Sequence, residues 1–534
     1  MSEILDRASV SDAATDTPAD HDGGMKRGLA NRHLQLMAIG GAIGTGLFLG
    51  SGKLISVAGP SIILVYTVIG LFVFLIMRAL GELLLSNLHF KTFGDIAKHY
   101  IGPWAGFFVS WNYWFSWVVA CVADIVAITT YVQHFNAELA RWVPALIAAI
   151  VLTLLNLLPV KWFGETEFWF AIIKIVAIVA LIVTCIVLIT TGFTSPNGTP
   201  ASVTYLWDQG GFFPLGLTGF VLGFQMGMFS FIGVELIGTA AAETQNPRKT
   251  LPRAINSIVY RILIFYVGVL ALIMCVTPWN QIDPGASPFV TTLEMAGFGI
   301  AAFVINLVVL TSAASSANSG LYSGTRMLYA LAKDGHAARA FARIAPNGIP
   351  RNAVFFTCVF LFSAVPLLLA GDSLVEAFTF VSSMCATMIL FTWGTIIVSY
   401  INYRRREPQL HATSKFKMPF SLITPWLVLA FFAFIAVALF LGEDTRTPFL
   451  AIPFWFLLLA VLWQVRKRQL VRDGRPITGA IPTTPHPLDL EDEVGEEDAA
   501  ADAGAQAAAR RGDAAGTAAR PGDADAADSD TRTS

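Results

Sequence analysis

Residues 34–57 read LQLMAIGGAIGTGLFLGSGKLISV, an apolar stretch interrupted by closely spaced glycines. A helix needs about 20 apolar residues to cross the hydrocarbon core of a bilayer, so this stretch is long enough to span a membrane. Four of its glycines fall close together: Gly40, Gly41, Gly44 and Gly46. Because each glycine destabilises a helix interior by about 1 kcal/mol relative to alanine, the cluster predicts an unwound segment inside a membrane-spanning helix.

Eleven further apolar runs follow along the chain, each of a length that suits a membrane span. Lipid cannot satisfy the polar groups of an irregular backbone, and these runs do not alternate in the way that barrel strands do. The sequence therefore predicts an all-α membrane protein with 12 transmembrane helices. After the first, the predicted spans are 61–84, 106–134, 142–160, 168–192, 215–241, 259–277, 295–322, 354–370, 374–401, 421–441 and 448–465.

The composition separates this membrane region from two polar tails. Charged residues make up 13% of the 534 residues, whereas soluble domains carry about 25%. The tails lack the aliphatic bulk that would bury a core, so residues 1–24 and 473–534 are expected to be disordered, flanking a domain at 25–472. The five cysteines lie inside apolar runs without paired spacing, and the eight histidines lie in tails, loops or span ends. We therefore expect no metal site, and no cofactor is implied.

A second glycine-interrupted segment occurs in predicted span 6, where residues 227–238 read GMFSFIGVELIG. Paired interruptions at matching places in two halves are typical of secondary transporters with inverted repeats. The sequence thus predicts a 5+5 inverted repeat at about 34–192 and 215–401, with broken helices 1 and 6, and two further helices at about 421–465. The alternative is that these glycines only allow neighbouring helices to pack closely.

The distribution of Lys and Arg predicts the orientation in the membrane. The loops and span ends after spans 2, 4, 6, 8 and 10 hold 17 of these residues, against three on the opposite side, Lys53, Arg141 and Arg446. By the positive-inside rule, the even-numbered loops and both termini are expected to be cytoplasmic.

Three strings resemble the bacterial amino acid permeases of the amino acid–polyamine–organocation superfamily. They are residues 31–50, the loop at 241–256 (AAETQNPRKTLPRAIN) and residues 311–320 (TSAASSANSG). The likeness covers about residues 26–470. Within the superfamily, residues 110–115 (SWNYWF) and 168–178 (FWFAIIKIVAI) are most similar to the proton-coupled D-serine/D-alanine/glycine permeases.

The resemblance implies a set of substrate-binding groups at the two interruptions. Backbone amides near Ile43, Gly44, Thr45 and Gly46 would hold the substrate carboxylate, which suits the positive end of a helix. Carbonyl groups near the second interruption would accept from the substrate ammonium, with Phe231 as a lid. The second set comprises Phe229, Ser230, Phe231 and Ile232.

Charged residues inside apolar runs are candidates for proton coupling. The resemblance implies that Lys174 replaces the sodium ion of sodium-coupled relatives and bridges a span 1 carbonyl to Ser315 or Ser316. The alternative is that Lys174 extends to the membrane interface. Glu235 is expected to bind substrate, relay protons or brace the broken helix. The sequence assigns no role to Asp124.

Arg78 and Glu82 are four residues apart, so they are expected to pair on one helix face, in a structural or gating role. No P-loop string occurs, which disfavours a nucleotide-driven pump.

Together these observations predict a multi-pass protein of the bacterial inner membrane that imports a small neutral amino acid, D-serine, D-alanine or glycine, by proton symport. Its expected partners are the amino acid, protons and the lipid bilayer, without nucleic acid. The alternatives are a permease for 4-aminobutyrate, aromatic or basic amino acids, and a non-transporting sensor homologue. The sequence does not predict the oligomeric state.

Overall fold

The computed structural model describes residues 43–474, except 159, 197, 237, 239–246, 347 and 372, with the backbone alone at 160–164. Apart from Asn87–His89, the described residues form one compact unit. Asn87–His89 makes a turn in which the His89 amide donates to Asn87 Oδ1 at 2.9 Å. The predicted tails at 1–24 and from 475 onwards, and residues 34–42 of the first predicted span, lie outside the described residues.

Helices and short turns make up the described part of the chain, which contains no β-strand. The helices up to the second interruption are α1 Thr45–Phe48, α2 Gly50–Ala58, α3 Ile62–Ser86, α4 Phe93–Tyr100, α5 Pro103–Phe135, α6 Trp142–Leu155, α7 Val160–Thr190, α8 Tyr205–Asp208 and α9 Gly216–Gly227. The helices after it are α10 Pro247–Arg261, α11 Val269–Val276, α12 Pro288–Met295, α13 Gly299–Lys333, α14 Arg351–Leu361, α15 Ala364–Ala370, α16 Leu374–Arg406, α17 Pro408–Thr413, α18 Thr424–Leu441 and α19 Glu443–Arg472. Short 3₁₀ turns lie at Gly59–Ser61, Phe229–Phe231, Trp279–Gln281 and Arg339–Ala342, and a π-helical segment at Ile262–Gly268 joins α10 to α11.

Nine helical segments of the described chain are long and apolar enough to cross a membrane, and two shorter apolar helices accompany them. The prediction of an all-helical membrane protein is therefore confirmed. The region predicted as one span at 354–370 differs in detail, because it forms two helices, α14 and α15, that meet at Phe362 and Ser363. Pro366 explains the break, since a proline fits the first turn of a new helix but not a helix interior.

Local sequence determines where α4 and α5 begin. Thr92 and Asp95 form a capping box at the start of α4, in which the Asp95 amide donates to Thr92 Oγ1 at 3.2 Å and the Thr92 amide donates to Asp95 Oδ2 at 3.0 Å. Pro103 then occupies the first turn of α5, where its missing N–H removes no hydrogen bond. The capping box and the proline therefore separate α4, a short helix, from the long helices α3 and α5.

The long helices α5 and α13 pack against each other in the centre of the bundle. A Cβ atom on Gly320 would lie 2.1 Å from Trp117 Cε3, so α5 approaches α13 at a distance that only glycine permits. Cys121 Sγ donates to the Ala317 carbonyl one turn away. This contact fixes the serine-rich middle of α13 beside α5 and the start of α1.

Candidate functional site

The first interruption lies at the start of α1. The backbone is extended at Gly44, with φ −122° and ψ −165°, and becomes helical at Thr45. The Gly44 carbonyl accepts from the amides of Leu47 and Phe48 at 3.2 Å. The first amides of a helix have no hydrogen-bond partner within that helix. The Thr45 and Gly46 amides can therefore donate to an acceptor outside the helix.

The second interruption follows α9 and its 3₁₀ turn. Ile232 is extended, with φ −64° and ψ 139°. Gly233 has φ +99°, a conformation that glycine adopts without steric cost. The Gly233 amide donates to Glu235 Oε2 at 3.1 Å, and the Tyr113 phenol lies beside the same carboxylate. Glu235 thus holds the backbone of the interruption in place.

The two interruptions touch each other at Gly46 and Ser230. A Cβ atom on Gly46 would lie 2.5 Å from Ser230 Cα, a distance too short for any other residue. Two tyrosines also contact Ser230: Tyr66 Oη lies 3.0 Å from its Oγ, and Tyr266 Oη donates to its carbonyl at 2.9 Å. The Phe231 ring is fully buried and stacks on Tyr266 at a centroid distance of 4.8 Å.

Lys174 of α7 connects the first interruption to α13. Its Nζ donates to the Ile43 carbonyl at 3.4 Å and to Ser315 Oγ at 3.0 Å. Ser312 Oγ donates to the same Ile43 carbonyl at 3.1 Å. The lysine is 1% exposed, so it points into the bundle rather than to the membrane interface.

Glu167 belongs to this cluster, although the sequence analysis gave it no role. Its Oε2 accepts from Ser315 Oγ at 2.7 Å and its Oε1 accepts from Asn318 Nδ2 at 3.1 Å. The predicted span began at residue 168, which assigned Glu167 to a loop. Its position seven residues before Lys174, two turns along one helix face, is the sequence signal that could have identified it.

Asp124 of α5 contacts the first interruption directly. Thr45 Oγ1 donates to Asp124 Oδ1 at 2.6 Å. Ser316 lies beside the same carboxylate, and its Oγ would be 3.2 Å from a Cβ atom placed on Gly44. The neighbouring serines of α13 thus face different partners, Ser315 towards Lys174 and Ser316 towards Asp124.

The residues that the sequence analysis assigned to substrate binding and proton coupling fall into one connected region. Ile43–Gly46 contacts Ser230 on one side and the α13 serines on the other. Phe229 packs edge-on against Phe378 of α16, with ring centroids 5.7 Å apart. Glu235 lies at the far end of the second interruption. Among the described residues, no group of three or more His, Cys, Asp or Glu side chains could hold a metal ion.

Arg78 and Glu82 do not make the pair that their spacing predicted. Arg78 Nε donates to the Lys417 carbonyl at 3.1 Å, while Glu82 accepts from Tyr400 Oη at 2.7 Å and lies 2.6 Å from His411 Nδ1. These partners lie on α16 and on the segment after it, more than 300 residues away in the sequence.

Comparison with known proteins finds a matching family and several similar relatives. Residues 33–473 match the model of the family described as amino acid permease. The chain is 52% identical over 460 residues to the D-serine/D-alanine/glycine transporter of Escherichia coli K12, an alignment that covers 86% of this chain and 97% of that protein. It is 49% identical to the amino-acid permease AapA of Bacillus subtilis, over 83% of this chain and 96% of the relative.

A less similar relative is named for a different class of substrate. The aromatic amino acid transport protein AroP of Escherichia coli O6:H1 is 40% identical over 441 residues, which cover 83% of this chain and 96% of AroP. All three alignments span nearly the whole of each relative, and the family model spans the helices that build both interruptions. The chain therefore belongs to the amino acid permease family.

Proposed function

We propose that this protein imports small neutral amino acids, D-serine, D-alanine and glycine, by proton symport with alternating access. The observation that carries the substrate assignment is the 52% identity to a D-serine/D-alanine/glycine transporter over 97% of that relative's length. The observation that favours coupling by protons is the buried ammonium of Lys174 at the first interruption, where it bridges Ile43 and Ser315. No cofactor is required, because the proton gradient supplies the energy.

The proposed architecture has 12 transmembrane helices, ten of them in two inverted repeats with broken helices 1 and 6. The extended residues Gly44 and Ile232 support the two breaks. The excess of Lys and Arg in alternate loops supports cytoplasmic termini in a bacterial inner membrane. In this orientation α7 begins at the cytoplasmic side.

In the proposed binding mode, the substrate lies between the two interruptions. The amides of Gly44, Thr45 and Gly46 bind its carboxylate, since the start of a helix favours negative charge. Carbonyl groups at Phe229–Ile232 accept from its ammonium. The Ser230 carbonyl already accepts from Tyr266, but a carbonyl oxygen has a second lone pair for the substrate.

The surroundings of the site favour a small and uncharged side chain. Glu235 accepts from the Gly233 amide and therefore braces the broken helix rather than facing a cationic substrate. Asp124 is occupied by Thr45. Close contact between Gly46 and Ser230 leaves little width where the interruptions meet. These features argue against a basic amino acid, and the lower identity to AroP argues against an aromatic one.

Uptake of labelled D-serine in cells that lack their own permeases tests the proposal. We expect uptake that needs no sodium, increases with an inward proton gradient and stops when a protonophore is added. Unlabelled D-alanine and glycine should compete, whereas lysine, phenylalanine and 4-aminobutyrate should not. Inhibition by lysine or phenylalanine without inhibition by glycine would overturn the substrate assignment. Binding of D-serine without any uptake would favour the sensor alternative.

A further inference from the structure

A continuous set of hydrogen bonds leads away from Lys174 along α7 and α13. Lys174 Nζ donates to Ser315 Oγ at 3.0 Å, and Ser315 Oγ donates to Glu167 Oε2 at 2.7 Å. The other carboxylate oxygen accepts from Asn318 Nδ2 at 3.1 Å. None of these four side chains is more than 4% exposed, so bulk water does not compete for the contacts.

We infer that Glu167 accepts the proton that Lys174 releases, and that the proton passes through the Ser315 hydroxyl. This inference rests on the proposed role of Lys174 in proton symport. An N–H bond of the ammonium breaks as Ser315 Oγ gains that proton, while the O–H bond of Ser315 breaks as Glu167 Oε2 gains the second proton. The products are a neutral amine, a restored hydroxyl and a neutral carboxylic acid, so no further reactant is needed.

The chemistry of the three groups orients the relay in one direction. An ammonium can only donate and an ionised carboxylate can only accept, whereas a serine hydroxyl carries one donor and two acceptor lone pairs. Ser315 therefore accepts from Lys174 and donates to Glu167 at the same time. Both protons move along hydrogen bonds that already exist, so no side chain has to rearrange first.

Transfer of the proton weakens the connection between α13 and the first interruption. Among the described residues, the ionisable groups that face this pair are Lys174 and Glu167 themselves on α7 and Asp124 on α5. Hydrogen bonds from a charged donor are roughly twice as strong as neutral ones. A neutral Lys174 amine thus holds the Ile43 carbonyl less tightly, which links proton release to movement of the first interruption.

A small cavity adjoins this network through Asn156. Asn318 Oδ1 accepts from Asn156 Nδ2 at 2.9 Å, and Asn156 lines a cavity of about 30 Å³ together with Tyr322, Thr325 and Arg326. A cavity of this size has room for about two water molecules. Asn318 holds the carboxylate in place, and Asn156 connects Asn318 to this cavity, which lies near the cytoplasmic end of α7 in the proposed orientation.

The test uses the full-length protein in proteoliposomes with three substitutions, Glu167→Gln, Ser315→Ala and Glu165→Gln. Two rates are measured for each: D-serine uptake driven by an inward proton gradient, and exchange of external for internal D-serine without a gradient. Exchange does not require proton release. The matched control, Glu165, lies two residues before Glu167 and therefore about 200° around the helix from it.

We expect Glu167→Gln and Ser315→Ala to lower gradient-driven uptake roughly a hundredfold, the scale on which a positioned proton acceptor acts. Exchange should fall far less in both. Glu165→Gln should match the wild type in both rates. Glu167→Asp should regain part of the driven uptake with a changed dependence on internal pH, because it restores an ionisable group at a different reach.

Two results would overturn the inference. One is driven uptake at the wild-type rate in Glu167→Gln. The other is an equal loss of exchange and driven uptake in both Glu167→Gln and Ser315→Ala, which would mean that the carboxylate only holds α7 and α13 together. If the wild-type vesicles themselves fail to accumulate D-serine, the proposed function fails instead, so the two failures are distinguishable.

Discussion

The middle of α13 and its C-terminal end each contact a lysine, and the two lysines are held in different ways. In the middle, Lys174 donates to Ser315 Oγ at 3.0 Å, and this hydroxyl in turn donates to the carboxylate of Glu167. At the end, Lys98 of α4 makes a direct ion pair with Asp334, with Nζ and Oδ2 2.9 Å apart.

The difference follows from the surroundings of the two lysines. The Asp334 side chain is 37% exposed, although that of Lys98 is only 9% exposed, so water reaches the carboxylate of this ion pair, and water-screened pairs contribute about 0–1 kcal/mol. Lys174 is 1% exposed, and a buried charge is strongly destabilised when its partners are removed. A lysine that only ties two segments together can pair directly with a carboxylate. A lysine that must release a proton is better served by a hydroxyl that both accepts and donates.

Replacing Lys174 should give the largest effect. Lys174→Ala removes the donor to Ile43 and the proton carrier at once, so accumulation of D-serine should fall to passive equilibration. The measurement is the internal to external ratio of labelled D-serine in vesicles with an inward proton gradient. If Lys174→Ala still accumulates D-serine, Lys174 does not carry the coupled proton, and its role does not differ from that of Lys98.

A larger side chain at Gly44 should have the next largest effect, because it would crowd the Ser316 side chain in the middle of α13. A Cβ atom there lies 3.2 Å from Ser316 Oγ, and overpacking of this kind costs about 1–3 kcal/mol. We expect Gly44→Val to lower D-serine uptake roughly tenfold or more, with normal abundance in the membrane. Gly299→Val at the start of α13 is the control, since no atom lies within 4 Å of a Cβ atom there. Equal uptake in the two variants would contradict the proposed site.

His336, just beyond the end of α13, should affect stability in acid rather than transport. Burial against Phe107 and Trp463 lowers the pKa of His336 from 6.5 to about 4. The unfolded chain therefore takes up a proton at a higher pH than the folded protein does. The folded protein loses stability as the pH falls below 6.5, and this loss is complete below about 4.

His336→Phe keeps the ring contacts and removes the titrating group. The variant should be more stable than the wild type at pH 5, by about 1–2 kcal/mol, with little change at pH 8. Thermal unfolding of the purified protein at the two pH values measures this difference. A benefit of equal size at both pH values would show that packing, not protonation, is responsible.

Replacing Lys98 should have the smallest effect. Lys98→Met removes the partly exposed ion pair with Asp334 and the longer contact with Asp95 at 3.6 Å, and should lower the free energy of unfolding by about 1 kcal/mol. The difference should shrink further in high salt, which screens exposed charges. The accumulation ratio for D-serine should match the wild type. A loss of accumulation comparable to that of Lys174→Ala would show that both ends of α13 take part in coupling.

Much of the fold could be predicted from the sequence, because lipid imposes long apolar helices and the glycine clusters mark where a helix can be interrupted. The extended residue Gly44 lies inside the first glycine cluster, and Gly233 in the second segment has a positive φ. Hydropathy alone, however, places helix ends poorly. The predicted span at 168–192 begins eight residues after the start of α7, and this difference concealed Glu167.

Contacts between distant segments could not be predicted, because they depend on how the helices pack. Asp124 and Thr45 are 79 residues apart, and their hydrogen bond arises from the position of α5 beside α1. Glu82 and His411 are 329 residues apart. Helical spacing suggested Arg78 as the partner of Glu82, but Tyr400 of α16 and His411 of α17 contact its carboxylate instead.

The central claim, that Lys174 carries the coupled proton, is tested most directly by Lys174→Arg in proteoliposomes with an imposed proton gradient. Arginine keeps the positive charge but does not lose its proton inside a protein. We predict that this variant reaches the membrane at normal levels and fails to concentrate D-serine, while the wild type concentrates it. Accumulation by Lys174→Arg equal to that of the wild type would contradict the claim and make Glu235 the next candidate for the proton carrier.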